Sequence, residues 1–218
     1  MLKLYYHPIS TNTRRVWVTL LEKQLAFELE EVDLGGEQFS EHFTAINALQ
    51  RIPVLIDQDL QVIESLAIMD YLEAKYPTPS LLPREADALA KVRMVEMTAV
   101  NELQPSMMPF MRQLVGLEVD LSKVDAAHQR LTTVLQVYEH LLGDQAYIGG
   151  ETVSLADIVA GTLVPVLPRL GIALDSHPAV AAWVQRLEQR DSWQQTAIQP
   201  EMVEATIPKI RAILERRS

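Results

Sequence analysis

The 218-residue chain is 48% hydrophobic and 22% charged with 8 glycines, a globular composition that allows one large or two small domains and excludes disorder, collagen and low complexity. Its 19 Lys and Arg against 29 Asp and Glu leave a formal charge of −10, which argues against a nucleic-acid binder or a polybasic membrane-surface protein. There is no cysteine, so structural disulfides, Cys-rich zinc sites, a Cys-x-x-Cys redox pair and a thiol nucleophile on the protein are all excluded.

No run approaches the 18 or so apolar residues of a membrane span, and Met1–His7 has the pattern of neither a signal nor a transit peptide, so a soluble cytoplasmic protein is expected. Leu2, Leu4 and Tyr6 share a period of two and predict a strand. Thr13–Glu22 is helix-compatible, Phe27–Val32 is strand-like, and Phe39–Leu49 is helix-like. Pro53–Ile56 and Gln61–Ile63 predict two short strands around a turn at Asp57–Asp59, followed by a helix from Ser65 to Lys75. That order implies a small α/β layer on a mostly buried sheet. Pro77, Pro79 and Pro83 then stop helix formation, and the segment reads as a linker over 77–84 between domains at 1–76 and 85–218.

Downstream the strand signals vanish. Val124, Ala127, Leu131, Val134, Leu135, Tyr138, Leu141 and Leu142 give one apolar helical face. Ser122–Asp125 and Ser154–Asp157 have capping-box spacing, Val153 and Ile158 sit at staple positions, and Pro178 suits a first helical turn. Gly35-Gly36 and Gly149-Gly150 read as turns, since neither GxGxxG nor a P-loop occurs. The five histidines lack HExxH spacing, so no protein-bound metal is expected.

Four motifs, Ser10–Val16, Arg51–Leu55, Glu64–Ile68 and Ser154–Asp157, resemble in order and spacing those of the cytosolic glutathione transferases, of serine type and bacterial-like, with phi-, theta- and zeta-like features. The resemblance covers essentially the whole chain. It implies an α/β thioredoxin-like N-terminal domain, an all-α C-terminal domain, glutathione as co-substrate without a metal, and a homodimer. The chemistry of the motifs is readable beside it. Ser10 precedes a helix, where its hydroxyl and the helix N-terminus would stabilise a thiolate; equally, Ser10 to Thr13 are all good N-caps.

By resemblance Ser10 is the activating residue, with Thr11 the alternative one position along, and Arg14 either orients this loop or is a solvated helix charge. Pro53 can be a strand-start proline; the resemblance implies a cis bond and assigns the Ile52 backbone to the cysteinyl unit of glutathione. Free N–H groups at a helix start suit an anion, so Ser65 is matched to the γ-glutamyl carboxylate and Glu64 to its ammonium, against the plainer reading of a helix with an acidic first turn. Gln38 and Arg51 are candidates for the glycyl end, although Arg51 stands where glutamine is usual.

For the electrophile, Met107 and Met111 offer soft apolar surface between the helix-kinking Pro105 and Pro109, or are ordinary core, and Arg169 occupies a zeta-like substrate position or is a plain surface charge. The expected activity is conjugation of glutathione to small electrophiles in detoxification. A maleylacetoacetate-type cis–trans isomerase, weakened by the missing zeta-type cysteine, and a non-catalytic protein on the same fold are the alternatives.

Overall fold

In the computed structural model, residues 1–198 and 200–215 are described. They fall into two compact units: Met1–Ser80 with the described residues of Asp191–Lys209, and Leu81–Arg190 with residues 210–215. The α/β order followed by helices is the one expected.

The first unit runs β1 (Leu2–Tyr6), α1 (Thr11–Glu22), β2 (Phe27–Glu31), a 3-10 turn (Glu37–Phe39), α2 (Glu41–Ile46), β3 (Val54–Asp57), β4 (Leu60–Ile63) and α3 (Ser65–Lys75). The four strands are ordered β2-β1-β3-β4, with β1 parallel to β2 and antiparallel to β3, and β3 antiparallel to β4. Strand alternation gives the sheet two apolar faces. Tyr5 lies opposite Val54 and shares a cluster with Phe43 and Ile46 of α2, whereas Leu4 pairs with Leu55 on the opposite face. The α1 and α3 helices pack together and bury Val16, Leu20, Ile68 and Leu72.

The sheet is less buried than the pattern suggests, because β2 is an edge strand whose Glu28, Leu29, Glu30 and Glu31 are all exposed. Acidic side chains on such an edge discourage pairing with another chain. The helix expected over Phe39–Leu49 is also shorter. Ser40 caps it by accepting the Phe43 N–H, and Asn47 ends it by turning its own amide onto the following loop.

A buried ion pair ties the end of this unit down. Lys23 Nζ lies 2.6 Å from Glu73 Oε2 and donates to the Pro79 carbonyl, and Ser80 Oγ donates to Glu73 Oε1. One later helix, α10 (Asp191–Gln195), also belongs here and adjoins α1.

The second unit is helical, with α4 (Ala86–Thr98), a π-helical turn (Ala99–Leu103), α5 (Gln104–Ser106), α6 (Met108–Leu114), α7 (Leu121–Leu142), α8 (Leu155–Gly161), a 3-10 segment (Val164–Leu170) and α9 (Pro178–Glu188). The last helix, α11 (Pro200–Glu215), spans the point where the two units divide. The backbone stays helical from α4 through the π-helical turn, α5 and α6, with Met107 N donating to Leu103 O and Met111 N to Met107 O, and Pro105 and Pro109 stand just after the joins where the hydrogen-bond pattern changes. The apolar face predicted for α7 is buried at Ala127, Leu131, Val134, Leu135, Tyr138 and Leu142.

Ser122 does not open a capping box. The cap is Asp120, whose carboxylate accepts both the N–H and the hydroxyl of Ser122, so the helix starts one residue before that serine. The second box forms as read. Asp157 accepts from the N–H and hydroxyl of Ser154 and also from Ile148 N and Trp183 Nε1. Gly149 is required beside it, since a Cβ there would lie 2.6 Å from that of Ser154.

Candidate active site

Register gathers the first unit's motifs at one end of the sheet. Tyr6 pairs with Glu31, Tyr5 with Val54, and Val54 with Ile63. The C-terminal ends of β1, β2 and β4 therefore lie beside the N-terminal end of β3. From that rim issue the Ser10 loop, the Gly35–Gln38 loop, Ile52-Pro53 and the start of α3.

Ser10 is the N-cap of α1, with extended backbone (φ −82°, ψ 110°), and its Oγ accepts the Thr13 N–H at 3.2 Å. Accepting that bond leaves the hydroxyl proton to donate elsewhere. Both readings of Ser10 thus meet in one group, a cap that still carries a proton. Thr11 is the first helical residue and is half-buried.

The two arginines that follow differ in surroundings. Arg14 donates through Nε to Thr196 Oγ1 and through a terminal nitrogen to the Trp193 carbonyl, so it ties α1 to α10 and to the residue that follows it. Arg15 is buried and reaches Ser65 Oγ at 3.5 Å.

Ser65, 7% exposed, is the first residue of α3, where main-chain N–H groups lack helical acceptors. Arg15 donates to its oxygen and leaves its proton for a ligand, and both the guanidinium and the helix end favour an anion. Glu64 precedes it with φ 66° and ψ 120°, a left-handed conformation that a non-glycine side chain holds at a cost of about 1–3 kcal/mol. Its side chain is exposed and makes no capping bond.

The Ile52–Pro53 peptide bond is cis. Among the described residues no hydrogen bond takes up the Ile52 main chain, and the neighbouring Arg51 carbonyl is held by Asn47 Nδ2 at 2.7 Å. The Arg51 side chain is exposed. Gln38, 7% exposed, donates its amide to the Leu34 carbonyl, while its buried Oε1 has no partner among the described residues. A free acceptor suits an N–H, so in this rotamer Gln38 is better matched to a ligand amide than to a ligand carboxylate.

Sequence reasoning missed Arg15 and Asn47. The signal for Arg15 was present, because it stands four residues before Thr19 on the buried face of α1 whereas Arg14 does not.

In the second unit, Met107 is 6% exposed and belongs to the core, Met111 is half-buried, and Met108 between them is exposed. Arg169 is exposed on the 3-10 segment, with no hydrogen bond or ion pair among the described residues.

A family model described as the glutathione S-transferase N-terminal domain matches residues 4–80, and one described as the glutathione S-transferase C-terminal domain matches residues 93–191. Glutathione S-transferase 3 of Zea mays is 35% identical over 89% of this chain and 92% of its own. Maleylacetoacetate isomerase of Mus musculus is 30% identical over 82% and 83%. The crystal structure of glutathione transferase F7 from Populus trichocarpa superposes with a TM-score of 0.79 at 30% identity, over 90% of this chain and 97% of that one.

Proposed function

The chain belongs to the glutathione transferase family, and from that premise we propose that it conjugates glutathione to small electrophiles with Ser10 as the activating hydroxyl. The carrying observation is Ser10 itself, a helix N-cap at the rim of the sheet whose proton is free to donate. A free thiol titrates near ~8.5, and a donor together with a helix N-terminus lowers it. Two pK units, worth about 2.7 kcal/mol, would take the thiol from mostly protonated to mostly ionised at neutral pH.

Glutathione binds with its γ-glutamyl carboxylate on Ser65 and the α3 N–H groups, its ammonium facing Glu64, and its cysteinyl unit on the Ile52 main chain ahead of Pro53. Gln38 and Arg51 serve the glycyl half, Gln38 through its vacant acceptor. Thr11 flanks the sulfur, and Arg14 fixes α1 against α10 and so holds Ser10 indirectly. The thiolate attacks an electrophilic carbon. With an aryl halide, the C–S bond forms, the carbon–halogen bond breaks, halide departs and the thiol proton has already gone to solvent. Met111, backed by Met107, and Arg169 are the proposed electrophile contacts.

We assign this chemistry to detoxification in the cytoplasm, whose glutathione pool supplies the co-substrate. We also propose a homodimer, supported by the exposed Met94 and Met97 on α4. Ser10→Ala is expected to abolish the thiolate absorbance of bound glutathione at neutral pH and to lower kcat/KM about 10²-fold, as for loss of one anion-stabilising donor. Equal absorbance in the variant would remove Ser10 from the mechanism.

A second reading, cis–trans isomerisation of a maleylacetoacetate-type substrate, is favoured by the isomerase relative and by the available Arg169 cation. Maleylacetone turnover with glutathione, lost in Arg169→Met, supports it; no turnover beside brisk aryl transfer eliminates it.

A further inference from the structure

His7 follows β1 and stands three residues before Ser10 in the turn His7-Pro8-Ile9-Ser10. Pro8 has no N–H, so this turn holds only two main-chain donors after His7. Both end on His7. The Ser10 N–H donates to the His7 carbonyl at 3.0 Å, and the Ile9 N–H donates to the ring Nδ1 at 3.3 Å. The second bond exists only if Nδ1 carries no proton, so the ring must be neutral with its hydrogen on Nε2, which lies 4.0 Å from Glu31 Oε1.

We infer that His7 is a positioning residue for the transferase reaction, its neutral ring fixing the turn that presents Ser10 to the sulfur and its protonation releasing that turn. A second proton, on Nδ1, would face the Ile9 N–H head-on, donor against donor, and the bond would be replaced by a repulsion next to the residue that caps α1. The ring is only 6% exposed, so water cannot readily replace the lost acceptor.

The charged groups around the ring come from three directions. Glu31 on β2 and Asp33 just beyond it favour the cation, and Lys209 on α11 opposes it. Burial is the largest influence and holds the imidazole below its ordinary value, so His7 is neutral at pH 7 and titrates on the acid side. The inference rests on Ser10 as the activating hydroxyl, and it predicts a pH signature that the thiol alone cannot give.

The test measures kcat/KM for an aryl halide at saturating glutathione from about pH 4.5 to 8. Two protonations, of the glutathione thiol and of His7, each disable the wild-type complex. Below both titrations its rate should therefore fall with a slope approaching two, about a hundredfold per pH unit.

In His7→Asn the side-chain oxygen can still accept the N–H two residues on, as in an Asx turn, and does not titrate. This variant should keep neutral-pH activity within about twofold and fall with a slope of one, about tenfold per unit. In His7→Leu the turn lacks its acceptor at every pH, so activity should be low already at pH 7.

A wild-type slope of one, or a slope of two retained in His7→Asn, overturns the inference. Since His7→Leu alone could fail to fold, His7→Asn carries the decision. The underlying reading is tested separately. Undiminished thiolate absorbance in Ser10→Ala overturns the Ser10 assignment, whereas diminished absorbance there with an unchanged slope in His7→Asn overturns only the role of His7.

Discussion

Arg14 and Arg15 are adjacent in sequence, yet α1 turns one toward α10 and buries the other beneath Ser65. The difference follows from helical geometry, since successive residues are set about 100° apart and only one can share the face of Val18 and Thr19. A motif that marks both as basic does not show which serves the ligand. If Arg15 orients the Ser65 hydroxyl and supplies a permanent charge behind it, Arg15→Met should raise KM for glutathione about tenfold, the loss of roughly one charged hydrogen bond. With the sulfur chemistry at Ser10, as proposed, kcat at saturating glutathione should change less than twofold, if the variant still melts cooperatively. An unchanged KM would detach Arg15 from substrate binding. Ser10 and Ser65 were legible as candidates because a serine at the start of a helix announces itself by type and position. Asn47 was not, because its task, holding the Arg51 carbonyl four residues on, leaves no periodic mark.

Elements with a continuous pattern and a clear boundary emerge as read. Ser65–Lys75 has both limits set locally, Glu64 ending a strand and Tyr76-Pro77 forbidding continuation. Phe39–Leu49 also has an apolar pattern, but Ser40 and Asn47 compete for its main chain and cut it to Glu41–Ile46. The exposure of β2 was hidden for a different reason, since its place at the sheet edge is a matter of topology.

The end of β3 meets α3 through side chains that titrate. Asp57 Oδ2 lies 2.5 Å from Lys75 Nζ and accepts from Tyr71 at 2.8 Å. The hydrogen bond from Lys75 is the main cause that holds the Asp57 carboxyl below its ordinary value, and burial opposes it. The same bond raises Lys75 above its ordinary value. A depressed carboxyl stabilises the fold above its unfolded titration, so this contribution is complete above about pH 5 and is lost as pH falls below about 4. A raised lysine contributes below its unfolded titration and is lost only in strong alkali. Urea unfolding of Lys75→Met should therefore show a deficit against wild type at pH 6 that shrinks towards pH 2.5. A deficit constant across that range would mean the cluster acts by packing alone.

On the scale of the whole molecule, the order of motifs along the chain was enough to read an α/β unit followed by helices, and what it could not show is which late segments return to the first unit. Surface apolarity is likewise a property of the assembled chain. Met94 and Met97, 51% and 45% exposed at a spacing of three on α4, give two neighbouring apolar side chains in water. If they form the homodimer contact, Met94→Asp with Met97→Asp should sediment as a monomer at concentrations where the parent is a dimer. A double variant that still sediments at twice the chain mass would assign the contact to another face.

The helix α10 joins α1 through Arg14, and Ser192 donates to Glu22, contacts that link residues 170 to 182 positions apart. The half of the molecule that carries Ser10 is thus interrupted in the chain by the whole of 81–190. During synthesis the first 80 residues emerge early with their sheet and with Lys23 and Glu73 in reach of one another, but the partners of Arg14 are still to be made. The helix whose first turn would activate the sulfur therefore acquires its last restraints near the end of translation, and a ribosome-bound chain stopped before Asp191 lacks the α10 groups that hold Arg14 and Glu22.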